Sequence, residues 1–152
     1  MNKAKEKAKG KALTITADLP AKNTSLVNVD AAKITMALDN LLDNAVTYTY
    51  SGGKIKIAVV VQQKNIIISI QDQGIGISKE QSYKIFTKFF RSKNAQLLQP
   101  SGTGLGLYIS KNIIEKHGGA ISFESEEGKG TTFRVSLPVL ESSILTKGRI
   151  IK

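Results

Sequence analysis

Two glycine-rich turns carry most of the chemistry this sequence offers. The first is Asp72-Gln73-Gly74-Ile75-Gly76-Ile77; the second is Ser101-Gly102-Thr103-Gly104-Leu105-Gly106-Leu107-Tyr108. Glycine lets a backbone approach a phosphate and adopt positive φ. A helix opening after such a turn presents unpaired N–H groups and the positive end of its dipole to an anion. Asp72 ends an apolar strand ahead of the first turn, where a carboxylate could accept a hydrogen bond from the exocyclic amine of a base. Together the turns suggest a nucleotide site. A turn-forming aspartate before glycine is the plainer reading of Asp72 alone.

Two other groups could act beside them. In Asp39-Asn40-Leu41-Leu42-Asp43-Asn44-Ala45, Asn40 and Asn44 stand four apart and share one helix face. Two amide oxygens one turn apart suit a hard cation such as Mg2+, which takes few protein oxygens and keeps phosphate oxygens and water. A solvated polar face is the simpler account, but asparagine is a mediocre helix former, so the cluster asks for a reason. In Ile85-Phe86-Thr87-Lys88-Phe89-Phe90-Arg91 the aromatics suit a core, and Arg91 could reach a terminal phosphate. Familiar phosphate motifs fail. Neither Gly53-Lys54-Ile55 nor Gly128-Lys129-Gly130 completes a Walker A loop, Leu107 stands where a dinucleotide fingerprint needs its third glycine, and there is no HRD loop.

Helices and strands must position these groups. Ile34, Ala37, Leu38, Leu41, Leu42 and Ala45 recur at helical spacing, with Asp30 as N-cap, so a helix is expected over 31–48. Leu105 to Lys116 forms a second helix, stopped by Gly118-Gly119. Lys54–Val61 with Asn65–Gln71, and Ala120–Ser125 with Thr131–Leu137, read as hairpins. Leu13–Ala17 reads as a short strand, and Ser78 to Gln81 as a capping box opening a short helix near 79. Residues 91–101 lack periodicity and read as a mobile loop. The order β-α-β-β-α-loop-α-β-β favours an α+β, two-layer α/β sandwich, with a mixed, mostly antiparallel sheet and helices on one face.

The 152 residues suggest one domain at 11–140, between a Lys-rich leader at 1–10 and a tail at 141–152. There is no cysteine, hence no disulfide or thiolate metal site. No apolar run approaches the ~20 residues of a membrane span, and no signal peptide is visible. A cytoplasmic setting is expected. The net charge of +10 invites a nucleic-acid reading, yet residues 1–11 hold +4 and the last twelve +2. A solvated leader explains that distribution better than a nucleic-acid face.

In this order the residues resemble the catalytic ATP-binding domain of two-component sensor histidine kinases, which has the Bergerat-type (GHKL) fold shared with gyrase B, MutL and the heat-shock chaperones. The resemblance spans roughly residues 10–140. Asp39–Tyr48 is similar to that family's N box, Asp72–Ile77 to its G1 box, Ile85–Arg91 to its F box and Gly102–Leu107 to its G2 box. Lys116-His117-Gly118-Gly119 and Gly128–Phe133 are similar to its closing segments.

The resemblance implies a domain that binds Mg-ATP and donates the γ-phosphoryl to a histidine on a separate dimerisation and phosphoacceptor domain. Asn44 would bind Mg2+ and act in catalysis, with Asn40 assisting at the phosphates. Asp72 would read the adenine amine, Gly74 and Gly76 would let the base approach, and Tyr48 would pack near it. Arg91 would touch the γ-phosphate as a second catalytic group. Residues 92–101 would form a lid. Gly102, Thr103, Gly104, Leu105 and Gly106 would form its hinge and phosphate turn. The implied partners are the helical-hairpin phosphoacceptor domain and, through it, a response regulator. No nucleic-acid partner is implied, and the isolated fragment would be a monomer.

The chain departs from the pattern at Thr47, where the N box usually has Lys or Arg, and at Thr87 and Lys88, where Glu and Arg are common. Its one histidine, His117, precedes Gly118 and suits a helix C-cap rather than an acceptor. The acceptor is therefore expected elsewhere, with the leader as the junction of an excised catalytic domain. ATP-hydrolysing relatives carry Glu four residues before the metal-binding Asn. Here that position is Asn40, which favours transfer over hydrolysis. The competing readings are a transfer-incompetent nucleotide-binding interaction module, supported by Thr47, and a basic nucleic-acid binder.

Overall fold

A computed structural model describes residues 2–20 and 26–140, with side chains from residue 6 onward. The tail beyond 140 lies outside the described residues. Five strands form one sheet: β1 (Thr14–Asp18), β2 (Lys54–Gln62), β3 (Asn65–Asp72), β4 (Ala120–Glu126) and β5 (Gly130–Pro138), in the spatial order β1-β2-β3-β5-β4. β1 runs parallel to β2 and every other pairing is antiparallel. Helices α1 (Asn2–Gly10), α2 (Ala31–Tyr48), α3 (Lys93–Leu98) and α4 (Gly106–Lys116) complete the chain. The architecture is the expected two-layer α+β sandwich.

The pleat sorts the strands into two faces. Ile57, Ile70, Phe133 and Phe123 pair across the sheet in one row, and Val59, Ile68, Val135 and Ile121 in the next. These rows form the core with α2 and α4. The alternate positions include Lys56, Gln71, Ser69, Arg134 and Ser136, so much of the other face is polar. The Arg134–Glu124 pair at 2.8 Å is exposed and contributes at most about 1 kcal/mol. Rings of Phe86, Phe123 and Phe133 meet at centroid distances of 5.9, 6.4 and 6.0 Å. Such pairs add about 0.5–1.5 kcal/mol beyond the area they bury.

The two long helices are held against each other and against the sheet. Leu41 of α2 and Ile114 of α4 are fully buried; each contributes about 1.5–3 kcal/mol of transfer free energy. Ala37 is small enough for α4 to close on α2, and Ser110 Oγ donates to Ala37 O at 3.0 Å. Asp30 caps α2 as expected, accepting from Lys33 N at 3.1 Å. His117 ends α4: its Nδ1 bonds Ile113 O at 2.7 Å, and its Nε2 accepts from Asp30 N at 3.1 Å. The imidazole thus ties the end of α4 to the start of α2, a structural role.

Three local expectations change. Residues 2–10, read as a solvated Lys-rich leader, form a helix docked on α2: Ala8 joins the core. Lys11 Nζ donates to the carbonyls of Val46, Thr47 and Thr49 at 3.2, 2.5 and 2.9 Å, filling acceptors that the end of α2 would leave open. Burial, and then the nearby Lys7 charge, hold the Lys11 pKa below its ordinary value. The capping box near 79 opens no regular α-helix; the chain turns and makes one 3-10 turn at Ser82–Lys84. The loop at 91–101 contains α3, whose N-cap Ser92 accepts from Ala95 N at 3.1 Å.

Candidate functional site

One cleft of about 270 Å³ lies between α2, the first glycine turn and the segment from Phe90 to Leu107. Ligand pockets usually run from about 300 Å³ upward. Here Ser92, Ala95 and Gln99 occupy part of the opening. Of the site residues expected from the sequence, Asn40, Asn44, Tyr48, Asp72, Gly76, Arg91, Gly102, Thr103, Gly104 and Gly106 line the cleft. Gly74 and Leu105 do not.

The periodicity of α2 makes one wall. Asn40, Asn44 and Tyr48 succeed one another by whole turns on a half-buried flank beside its core residues Ala37 and Leu41. Asn40 Nδ2 donates to Gly106 O at 3.4 Å, joining this wall to the start of α4. Asp43 and Thr47 also reach the cleft.

Asp72 makes the floor. It is 7% exposed, and two backbone donors converge on its Oδ1: Gly74 N at 2.9 Å and Thr131 N at 3.2 Å. Burial outweighs these bonds and pushes the carboxyl pKa up to about 6. Oδ2 accepts none of the bonds among the described residues, so the carboxylate has a fixed orientation and an acceptor to spare. Apolar side chains of Ile75, Ile77 and Phe133 flank it, a setting for a flat heteroaromatic edge.

The glycines of the first turn answer to the protein itself. A Cβ on Gly74 would strike Tyr48 O, where Ile75 N already donates at 3.1 Å. Gly76 has φ +66°, and its Cβ would strike Glu126 O. Both let the turn lie against α2 and the β4–β5 turn. Gly106 differs. A Cβ there would meet nothing nearer than Asn40 at 3.8 Å, so the protein leaves room at the first residue of α4. The N-cap, Leu105, gives no side-chain bond, and the first N–H groups of a helix have no partner within it. Space, unpaired donors and a helix dipole together suit a phosphate.

Arg91 lines the cleft with its guanidinium already engaged. Nη1 donates to Pro100 O at 3.1 Å and Gly102 O at 3.0 Å; Nη2 donates to Ala95 O at 2.8 Å and to Gln99 O. All four hydrogens of the two terminal nitrogens are spent holding α3 and the following turn together. In this arrangement Arg91 clasps the segment expected to form a lid.

The donor set suits a metal that arrives with phosphates. Among the described residues no three His, Cys, Asp or Glu side chains gather as a metal site. The amide oxygens of Asn40 and Asn44 and the exposed Asp43 carboxylate are the hard donors on the wall. That is too little for a resident ion but enough for Mg2+, which usually keeps phosphate and water ligands. Two lining residues escaped the sequence reading, Lys7 and Thr131. Only pairing in space reveals them: Lys7 comes from α1, and Thr131 acts through its backbone.

Comparisons agree with this geometry. A family model described as histidine kinase-, DNA gyrase B-, and HSP90-like ATPase matches residues 29–141. The sensor histidine kinase WalK of Bacillus subtilis (strain 168) is 42% identical over 117 residues, which cover 76% of this chain and 19% of WalK. The chain thus spans about a fifth of that relative. The catalytic domain of histidine kinase ThkA, nucleotide free, superposes with a TM-score of 0.75 at 31% identity, covering 91% of this chain and 87% of that one. Full-length ShkA in complex with AMPPNP matches with a TM-score of 0.70 at 25% identity, covering 91% of this chain and 29% of ShkA. The chain belongs to the histidine kinase-, DNA gyrase B- and HSP90-like ATPase family, as an ATPase domain of the sensor histidine kinase type.

Proposed function

We propose that this domain binds Mg-ATP and donates the γ-phosphoryl to a histidine on a phosphoacceptor helical-hairpin domain, which passes it to a response regulator. The observation that carries the reading is the single cleft joining an oriented carboxylate, two asparagines one turn apart and an open helix N-terminus beside Gly106. Asp72 Oδ2 accepts from the adenine amine, with Tyr48 packed nearby. Gly76 keeps the floor of the base pocket flat, and Gly74 seats the turn against α2. The turn Gly102-Thr103-Gly104-Leu105-Gly106 and the first N–H groups of α4 take the phosphates. Asn44 offers an oxygen to the ion and Asn40 steadies the phosphates. Mg2+, when bound, neutralises charge on the phosphate oxygens.

An acceptor imidazole nitrogen bonds to the γ-phosphorus as the bond to the β,γ-bridging oxygen breaks, and ADP leaves. Arg91 reaches the γ-phosphate by exchanging lid carbonyls for anionic oxygens, which make stronger hydrogen bonds. Lid rearrangement and nucleotide binding are thereby one event. Asn40 is an amide and cannot take a proton from water, so hydrolysis is slow, while transfer depends on positioning and charge. No helix among the described residues is long and apolar enough to cross a membrane. The resemblance to sensor kinases supports a domain that works on the cytoplasmic side, as a monomer when isolated.

The test supplies a phosphoacceptor domain of the same type and follows label from [γ-32P]ATP. Acid-labile, base-stable phosphate on the acceptor histidine is expected. ATP binding without transfer to any acceptor would favour the interaction-module reading instead.

A further inference from the structure

Two cationic side chains line the cleft, Lys7 and Arg91. Arg91 has its terminal nitrogens committed to four carbonyls between Ala95 and Gly102. Lys7 is different. Its Nζ donates to Thr47 Oγ1 at 2.9 Å, and an ammonium has three hydrogens to give. Thr47 stands three residues after Asn44 and seven after Asn40, on the same face of α2. The neighbouring Lys11 has no such freedom, since its ammonium already meets three carbonyls at the end of α2. The lining also carries the carboxylates of Asp43 and Asp72, so a polyphosphate entering here needs a cation near α2. That helix provides none where it lines the cleft: its lining positions are Asn40, Asp43, Asn44, Thr47 and Tyr48.

We infer that Lys7 is a phosphate-binding residue of the nucleotide site, supplied by α1 and held over the α2 wall by Thr47. The inference rests on the nucleotide reading above. It makes the phosphate affinity depend on α1 staying docked, because Lys7 belongs to α1 and not to the sheet or to α2. Ala8 in the core and Lys11 at the end of α2 are the contacts that keep it docked.

The test uses the full chain with Lys7→Met and with Lys7→Met/Thr47→Lys, which returns a cation to the same spot from α2. ATP, ADP and adenosine are titrated by calorimetry in the presence of MgCl2. Losing a charge-assisted phosphate contact is expected to weaken ATP and ADP about tenfold, leave adenosine unchanged, and be reversed in the double variant. ATP affinity equal to wild type in Lys7→Met overturns the inference and leaves the nucleotide reading standing. An equal loss for adenosine also overturns it, since Lys7 would then serve the fold and not the phosphates. If the folded wild-type chain binds none of the three, the nucleotide reading falls and the inference falls with it.

Discussion

Replacing Asp72 by asparagine should make the domain more stable and worse at binding ATP. Burial raises this carboxyl from an ordinary 3.8 to about 6, roughly two pKa units. At about 1.4 kcal/mol per unit, holding the charge in place costs up to about 3 kcal/mol at pH 8. The sign follows from the direction of the shift. Above pH 6 the folded state carries the full cost. As pH falls from 6 towards 3.8 the folded protein takes up the proton first, the wild type gains stability, and the gain is complete below 3.8. Asparagine keeps an Oδ1 acceptor for Gly74 N and Thr131 N and carries no charge. Desolvating its amide returns part of the gain, leaving about 1–3 kcal/mol, or several degrees in Tm for a domain of this size. The variant should therefore melt above wild type at pH 8, with the gap closing by pH 4. Its free side-chain position would offer N–H to an adenine amine, donor against donor, so ATP should weaken at least tenfold at pH 8. Thermal unfolding from pH 4 to 8 and calorimetry with ATP read both effects. A variant that melts at or below wild type at pH 8 would refute the argument that this carboxylate is held against its solvation. Unchanged ATP affinity would remove Asp72 from base recognition.

Three further substitutions separate the parts of the cleft. Gly106→Ala fills open space at a helix position, so stability should hold or rise by up to about 1 kcal/mol while ATP weakens and adenosine does not; equal ATP affinity in calorimetry would mean no phosphate sits there. Gly76→Ala forces positive φ on alanine and a clash with Glu126 O, so denaturant unfolding should show a loss above about 2 kcal/mol. Asn44→Asp should change the Mg2+ concentration needed for ATP binding with adenosine affinity preserved; superimposable metal titrations of variant and wild type would remove Asn44 as a metal ligand.

The elements that could be read from the sequence are those whose signal is local. α2 and α4 announce themselves by apolar spacing, both hairpins by β-branched runs around short polar turns, and Asp30 and His117 by their cap positions. The misread segments are held by distant partners. α1 has the Ala and Lys of a good helix former, but what docks it is the Thr47 hydroxyl and three carbonyls at the end of α2, some 35 to 40 residues away. α3 shows a usable N-cap in Ser92, yet six residues are too short to hold a helix alone, and the clasp by Arg91 is a tertiary contact. The capping-box pattern at Ser78 met no apolar stripe long enough to extend it. The cleft residues on α2 and in the two turns were legible because spacing places them; Lys7 was not, since it belongs to no pattern, and nothing in the Gly128–Phe133 segment marked Thr131 as the residue whose backbone N–H holds Asp72.

The Asp72 end of the cleft depends on the β4–β5 turn for its shape. Ser125 Oγ accepts from Ile77 N at 2.8 Å and meets Gly130 O and Thr131 Oγ1 at 2.9 Å each. Gly128 N donates to Ile75 O at 2.8 Å, and Gly130 lies so close to Asp72 that a Cβ would strike the Asp72 carbonyl. The β4–β5 turn therefore splints the first glycine turn along its length and, through Thr131 N, fixes the Asp72 carboxylate. Fixing an acceptor before the ligand arrives lowers the ordering cost of binding. It also explains how a carboxylate held at an energetic disadvantage keeps one orientation: the sheet supplies the restraint through backbone bonds that no side-chain substitution removes. The other end is built from Gly106, the open start of α4 and the 92–101 segment, which Arg91 holds through four carbonyl contacts from its side chain and not through the sheet. On the proposed reading, the base would meet an end fixed by backbone bonds to the sheet, and the phosphates an end held by side-chain contacts that Arg91 can exchange.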